Sequence, residues 1–488
     1  MRSVQLNDDR AGGVPGRDDW QTRSAPGPRA VLGLKEAVAI IVGIVVGAGI
    51  FKAPSLVAGM TGSVGWMMAA WGLGGVFSLI GALCYAELAT AFPNAGGDYH
   101  FLRRAYGRRL SFLFAWARFS VITTGSIALL AFVFGDYMTE VLPLGVHSPS
   151  IYAAAAIGVL SWVNLRGIRA GAATQTWLTL LEVLGLLLIV IAGLYLVAVN
   201  GGNVGDAAAA STDAAAPAAT APSLSAFGMA MVFVLLTFGG WNEASYISAE
   251  LKDERRNMVK ALVFSIVAIT VLYLAVNWAY WRGLGMSGMA KSDAIAADLL
   301  AAAFGSAGAS MISVMVAIAA LTSINATMIV GARTNFAVGR DWHVLSQLGR
   351  WDEVRGAPAT ALVWQSVAAL VLVVIGAIVG GGFKAMVEFT APVFWLFFLL
   401  AGISLFVLRV REPDVARPFR VPLYPVLPLA FCLVCAYMLW ASLSYVYSQE
   451  LGGLNAAWIG VGVLASGALL LLAVGKPKAV PDGASNQP

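Results

Sequence analysis

Long apolar runs recur from Leu34 to Val474, and most of the Lys and Arg sit in the short stretches between them. An α-helix needs about 20 apolar residues to cross roughly 30 Å of hydrocarbon. By that ruler the pattern predicts twelve spans: 34–60, 63–91, 110–135, 150–165, 172–199, 224–250, 259–282, 303–333, 359–380, 387–409, 423–445 and 454–474. The fold class this predicts is an all-α polytopic membrane protein. Two stretches stand outside the pattern. Residues 1–33 hold Asp8, Asp9, Asp18 and Asp19 and no apolar core, which predicts a disordered tail and excludes a cleaved signal peptide. The Ala-rich stretch within 200–223 predicts a flexible connector.

Composition agrees with the pattern. The 488 residues are 59% hydrophobic and 12% charged, with a mean hydropathy of +0.79. Soluble domains carry about 25% charged residues, so a soluble enzyme, a nucleic-acid-binding domain and a disordered chain are excluded. Lys and Arg in the loops set orientation. With the N-terminus inside, the inner loops receive Arg103, Arg104, Arg108, Arg109, Arg255, Arg256, Arg409 and Arg411 among others. The outer loops then keep only Arg282, Lys291 and Lys384. Both termini are therefore expected in the cytoplasm. Cys84, Cys432 and Cys435 all lie in apolar runs, and His100, His147 and His343 are isolated. Neither a disulfide framework nor a metal site is expected. No cofactor is expected either, and no GxxxxGK[ST] phosphate loop occurs.

Two runs carry an internal conflict. The first reads GIVVGAGIFKAPS from Gly43, with Gly47, Ala48 and Gly49 at mid-span; the sixth reads TFGGWNEASY from Thr237. Glycine costs a helix about 1 kcal/mol, and open backbone at this depth is tolerated only beside protein or a cavity. Close packing is one explanation, since Gly43 and Gly47 form a small-xxx-small face. Topology supplies another. If spans 1–5 and 6–10 are repeats, an odd number of crossings inverts the second, and the broken helices one and six meet at the midplane. Paired interruptions of that kind point to a transported substrate. The N–H groups of Ala48, Gly49 and Ile50 suit a carboxylate, and the carbonyls around Phe238 to Gly240 suit an ammonium. A site with both ends reads an α-amino acid, and other zwitterions fit it too.

Gly47-Ala48-Gly49-Ile50-Phe51 resembles the first-span G-[SA]-G-I-F of the amino acid–polyamine–organocation superfamily of permeases. Phe238-Gly239-Gly240-Trp241-Asn242 is similar to the sixth-span F-x-G-W-N of its L-type transporter branch. YAELATAFPNAGGDYHFL (85–102), NLRGIRAGAATQ (164–175) and LRVREPDVARPFRVPLYPVLP (408–428) support the likeness. It implies the leucine-transporter fold, with five plus five inverted helices and two more, and alternating access. The corresponding units are 34–199, 224–409 and 410–474, with 475–488 as an inner tail. It also implies secondary active transport of an amino acid, by proton-coupled symport or by exchange, in a prokaryotic-type plasma membrane. The candidate substrate contacts are then Val46, Gly47, Ala48, Gly49 and Ile50 with Phe238, Gly239, Gly240, Trp241, Asn242 and Glu243, Trp241 doubling as a gate.

Departures from the family pattern add candidates. Glu182 stands where many relatives carry a fifth-span Lys, Lys52 where an apolar residue is usual, and Glu243 where an aromatic is usual. Charge inside a membrane is costly, which makes these residues functional candidates. Glu182 reads as a proton or cation coupling group, as half of an ion pair with Lys52 or Arg118, or as polar packing. Glu243 reads as a contact to the substrate or a coupled proton, or as an acidic group at a helix start. Lys52 reads as a coupling or substrate contact or as an ion-pair partner. Asn325 is a candidate cavity residue, and Glu87 a gate residue paired with an Arg. A polyamine or organic-amine carrier is the alternative within the fold. A non-transporting receptor or enzyme lacks a soluble domain or a catalytic constellation.

Overall fold

The protein is described from a computed structural model, which covers residues 34, 38, 41–42, 45–92, 97–166, 171–199, 221–242, 254–342, 345–352, 358–379, 382–447, 450–451 and 454–473. Its framework is helical: α1 Ala53–Thr61, α2 Val64–Ala91, α3 Asp98–Tyr106, α4 Arg108–Ala117, α5 Thr123–Val141, α6 Ser148–Leu165 and α7 Gly171–Val199. It continues with α8 Leu224–Thr237, α9 Glu254–Lys291, α10 Ile295–Asp341, α11 Ala359–Val379, α12 Gly382–Arg411, α13 Val426–Tyr447 and α14 Ala456–Ala473. One two-residue antiparallel pairing, Glu450–Leu451 with Leu454–Asn455, closes the turn between α13 and α14.

Among the described residues nine helices are long and apolar enough to cross a membrane; Leu224–Thr237 and Gly462–Leu472 are apolar but shorter. The protein is thus a multi-pass helical membrane protein. Apolar side chains are exposed where lipid would cover them. Val363, Val367, Val371, Val374 and Ile378 recur every three or four residues along one face of α11.

Local chemistry sets where helices stop and turn. Gly62 takes φ +62° to end α1, and Ser63 Oγ then accepts from Trp66 N to cap α2. Inside, α2 presents Gly74, Gly75 and Gly81 to its neighbours; a Cβ at any of them would overlap Val234, Thr270 or the Trp241 ring respectively. Small residues let transmembrane helices approach this closely.

Two expected boundaries shift for a common reason. The span expected at 259–282 continues to Lys291, and the one expected at 303–333 begins at Ile295. Gly285 (φ 67°) and Gly305 (φ 72°) bend the chain there, so the stretch the hydropathy pattern leaves between the two spans is largely helical, in two short pieces on either side of residues 292–294. The span expected at 110–135 runs from Arg108 to Val141 through a π-helical turn, Arg118–Ile122. The residue such a turn inserts re-aims side chains and often marks a functional site.

Candidate functional site

The site is made by two interrupted helices. Helical residues of the first run end at Val45, with Val46 N donating to Val42 O at 2.7 Å. Gly47 is extended (φ −110°, ψ 179°), and the chain restarts as the 3-10 turn Ala48–Phe51. A new helical turn has no intrahelical acceptor for its first N–H groups, here those of Ala48, Gly49 and Ile50. In the sixth run α8 ends at Thr237, and Gly240 takes φ +106°, a conformation that favours glycine.

The two interruptions meet. A Cβ on Gly49 would lie 3.3 Å from Thr237 Oγ1. Tyr273 of α9, completely buried, brings its hydroxyl within 3.2 Å of both Val45 O and Thr237 O, so one proton is shared between the last carbonyls of two half-helices. A cavity of about 310 Å³ opens beside this junction, bordered by Gly47, Gly49, Gly239, Gly240 and Asn242. That volume is at the lower end of the ~300–1,000 Å³ usual for small-molecule pockets. Its other walls combine polar groups (Arg118, Ser126, Ser323, Thr327, Thr390) with Phe233, Phe394, Phe397 and Phe398. Arg118 reaches it from the π-helical turn, and Asp98 borders it from α3.

Other sequence candidates lie elsewhere. Val46, Ala48, Ile50 and Phe238 have fully buried side chains that do not border the cavity, so only their backbone is available to a ligand. Phe238 packs on Tyr273 and Trp71. Trp241 lies beside the cavity in an aromatic cluster, 5.3 Å from Tyr85, 5.6 Å from Phe398 and 6.3 Å from Phe431 between ring centroids. Asn325 does not border the cavity; its Oδ1 accepts from Asn164 Nδ2 at 2.6 Å and ties α10 to α6. Glu243 lies outside the described residues.

Ion pairs close both ends of the bundle. Lys52 Nζ lies 2.9 Å from Asp136 Oδ2 and donates to Asp293 O at 2.6 Å, joining the first run to α5 and to the connector between α9 and α10. Beside it Tyr137 donates to Phe51 O and accepts from Ala296 N. At the other end Glu87 is gripped by both arms of Arg409, at 2.7 and 2.6 Å, and accepts from Val421 N at 2.7 Å. Nearby, Arg104 is bidentate on Glu412 at 2.8 and 2.6 Å, and that hydrogen bond holds the Glu412 carboxyl below its ordinary pKa. Burial, reinforced by Arg104 and Arg103, lowers His100 in the same way.

Glu182 joins neither end. It is 2% exposed, makes no ion pair among the described residues, and its Oε1 is sealed from solvent without a hydrogen-bond partner. Lys52 is committed to Asp136 and Asp293, which removes it as one of the two partners the sequence offered, Lys52 or Arg118. The charged neighbour that Tyr273 feels is Glu182. Sequence reasoning missed Tyr273, Thr237, Ser323 and Thr390. The signal for Tyr273 is a tyrosine in the middle of a mostly apolar run, which it shares with Ser265, Thr270, Asn277 and Tyr280.

The family model described as amino acid permease matches residues 32–464. The b(0,+)-type amino acid transporter 1 of Mus musculus is 30% identical over 418 residues, 84% of this chain and 82% of the relative. The same transporter of Homo sapiens matches at the same identity and coverage. The large neutral amino acids transporter small subunit 2 of Mus musculus is 28% identical over 420 residues, 84% of this chain and 76% of the relative.

Proposed function

The chain belongs to the amino acid permease family, and on that premise we propose that it carries an α-amino acid across the membrane by alternating access. The α-carboxylate sits on the N–H groups of Ala48, Gly49 and Ile50, where a helix start favours an anion. The α-ammonium takes the carbonyl end of α8 near Thr237 and Gly239, with Asn242 alongside. The side chain projects toward Arg118, Thr390 and the phenylalanines. The observation that carries this reading is the junction itself: Gly49 against Thr237, with Tyr273 joining both half-helix ends at the rim of the cavity.

The layout that goes with it has twelve spans, as inverted units 34–199 and 224–409 followed by 410–474. Tails 1–33 and 475–488 lie in the cytoplasm, and the protein sits in a cell's plasma membrane. Lys52 then faces outside and Glu87 inside. The ion pairs of Lys52 with Asp136 and of Glu87 with Arg409 are gate contacts, and Trp241 is a wall between the site and the inner side. Glu182 is the proton carrier. A carboxyl without a counter-ion at that depth is stable when protonated and costly when charged, which suits a group that loads a proton in one step and releases it in another.

Purified protein in vesicles, with a labelled amino acid mixture outside, tests the reading. Gradient-driven uptake into empty vesicles that Glu182→Gln abolishes is the expected result. Uptake only into vesicles preloaded with amino acids would replace symport with obligate exchange and reduce Glu182 to structure. Saturable uptake of amines with none of amino acids would overturn the substrate class.

A further inference from the structure

On α9, Tyr273, Asn277 and Tyr280 stand four and three residues apart, which places them on one helix face. All three are completely buried. Asn277 Nδ2 donates to Tyr273 O at 2.8 Å, but Asn277 Oδ1 and Tyr280 Oη have no hydrogen-bond partner among the described residues. A buried polar group left unpaired costs about 1–3 kcal/mol, and leucine or phenylalanine would fill these positions without that cost. Native proteins satisfy such groups with buried water.

Both ends of this face reach a group that can exchange protons. At the inner end Tyr273 is within electrostatic reach of Glu182, whose Oε1 has no hydrogen-bond partner among the described residues. At the outer end Tyr280 lies within electrostatic reach of Tyr137. Tyr137 is followed in turn by Asp136, which is held by Lys52. Carboxylates within electrostatic reach at this end are Glu140, Asp293 and Asp298, while Arg282 and Lys291 further along α9 carry positive charge. At 1.5 Å rise per residue, Tyr273 and Tyr280 stand about 10 Å apart along the axis, a span for a few linked waters.

We propose that this face of α9 holds a file of buried water along which protons pass between the outer Lys52–Asp136 pair and Glu182. The inference rests on Glu182 being the proton carrier. A hydroxyl relays by accepting a proton on one side and releasing its own on the other, which Tyr280 can do; the Tyr137 proton is held by Phe51 O, so the step from the Lys52–Asp136 pair to Tyr280 passes through water. Asn277 has no proton to pass on and holds water through its carbonyl. The balance is one hydronium from outside plus the Glu182 carboxylate, giving one water and the carboxylic acid.

The test uses the full chain in vesicles that contain a pH-sensitive dye. Wild type, Glu182→Gln, Asn277→Leu and Tyr280→Phe are compared under an inward proton gradient, with amino acid exchange at symmetric pH run in parallel on wild type and the two α9 variants. Asn277→Leu and Tyr280→Phe are expected to slow substrate-driven proton entry at least tenfold while exchange stays within twofold of wild type. Asn277→Ser, which restores a group that holds water, is expected to recover most of the rate. Wild-type proton entry in both α9 variants, with Glu182→Gln inactive, would overturn the file and leave the carrier reading intact. Parallel loss of exchange and proton entry that Asn277→Ser does not recover would also overturn it, by making the face structural. No proton entry in wild type would overturn the carrier reading itself, and the file with it.

Discussion

Replacing Lys52 with methionine keeps most of the side chain's bulk and removes the charge that joins three elements. Lys52 is 8% exposed, 2.9 Å from Asp136 and 2.6 Å from the Asp293 carbonyl. At an effective dielectric constant of about 20, unit charges 2.9 Å apart attract by roughly 6 kcal/mol. Desolvation of both groups offsets much of this, and removing one partner of a buried pair costs about 3–5 kcal/mol because the other charge is stranded. If the pair forms only when the outside is closed, that cost falls on the closed state alone. Even 3 kcal/mol of bias shifts the open-to-closed ratio by about 150-fold. The assay is modification of a cysteine placed at Ser126, on the cavity wall, by a membrane-impermeant thiol reagent added outside. Cys84, Cys432 and Cys435 are buried and are replaced first. Labelling at least tenfold faster in Lys52→Met is expected, and Asp136→Asn is expected to match it with no further gain in the double variant. Unchanged labelling, or fully additive effects, would refute the pair as a gate.

Three other outcomes follow from the geometry. Gly49→Ala sets a methyl 3.3 Å from Thr237 Oγ1, and Gly240→Ala must hold φ +106° at a cost of about 1–3 kcal/mol. Both should weaken substrate affinity in transport assays, whereas Gly72→Ala, which meets nothing within 4 Å, should not. Glu87→Gln strands Arg409 and should destabilise the purified protein by about 3–5 kcal/mol, read as an earlier loss of the monodisperse peak on heating. The third concerns pH around α3. Glu412 and His100 both have lowered pKa values, through the Arg104 hydrogen bond and through burial respectively. Their protonation therefore opposes the folded arrangement: the His100 contribution is present above its ordinary value near 6.5 and falls as pH drops below it, and that of Glu412 falls below about 4.5. Proteolysis of the segment around α3 should accelerate on acidification, and His100→Gln should remove the higher-pH part of that change.

Hydropathy made the helical membrane class legible, because spans need only length and apolarity. The two glycine breaks were legible as well, since Gly47, Gly49, Gly239 and Gly240 conflict with helix in otherwise unbroken runs. Side-chain partners were not. The offered pairing of Lys52 with Glu182 ignored Asp136, which is 84 residues from Lys52 in sequence but adjacent in space. Hydropathy left 283–302 between two spans but gave no sign that most of it is helical, because the bends at Gly285 and Gly305 depend on backbone conformation. Tyr273 was missed because its role depends on two carbonyls from different helices.

In the proposed mode of binding, one site reads both α-groups of an amino acid through the ends of broken helices. Counterflow in vesicles, comparing an amino acid with its decarboxylated amine and its N-acetyl derivative, tests this. Robust counterflow is expected with the amino acid and at least a hundredfold less with either analogue. Equal counterflow with the amine would rule this binding mode out, since the N–H groups of Ala48, Gly49 and Ile50 would then have no carboxylate to hold.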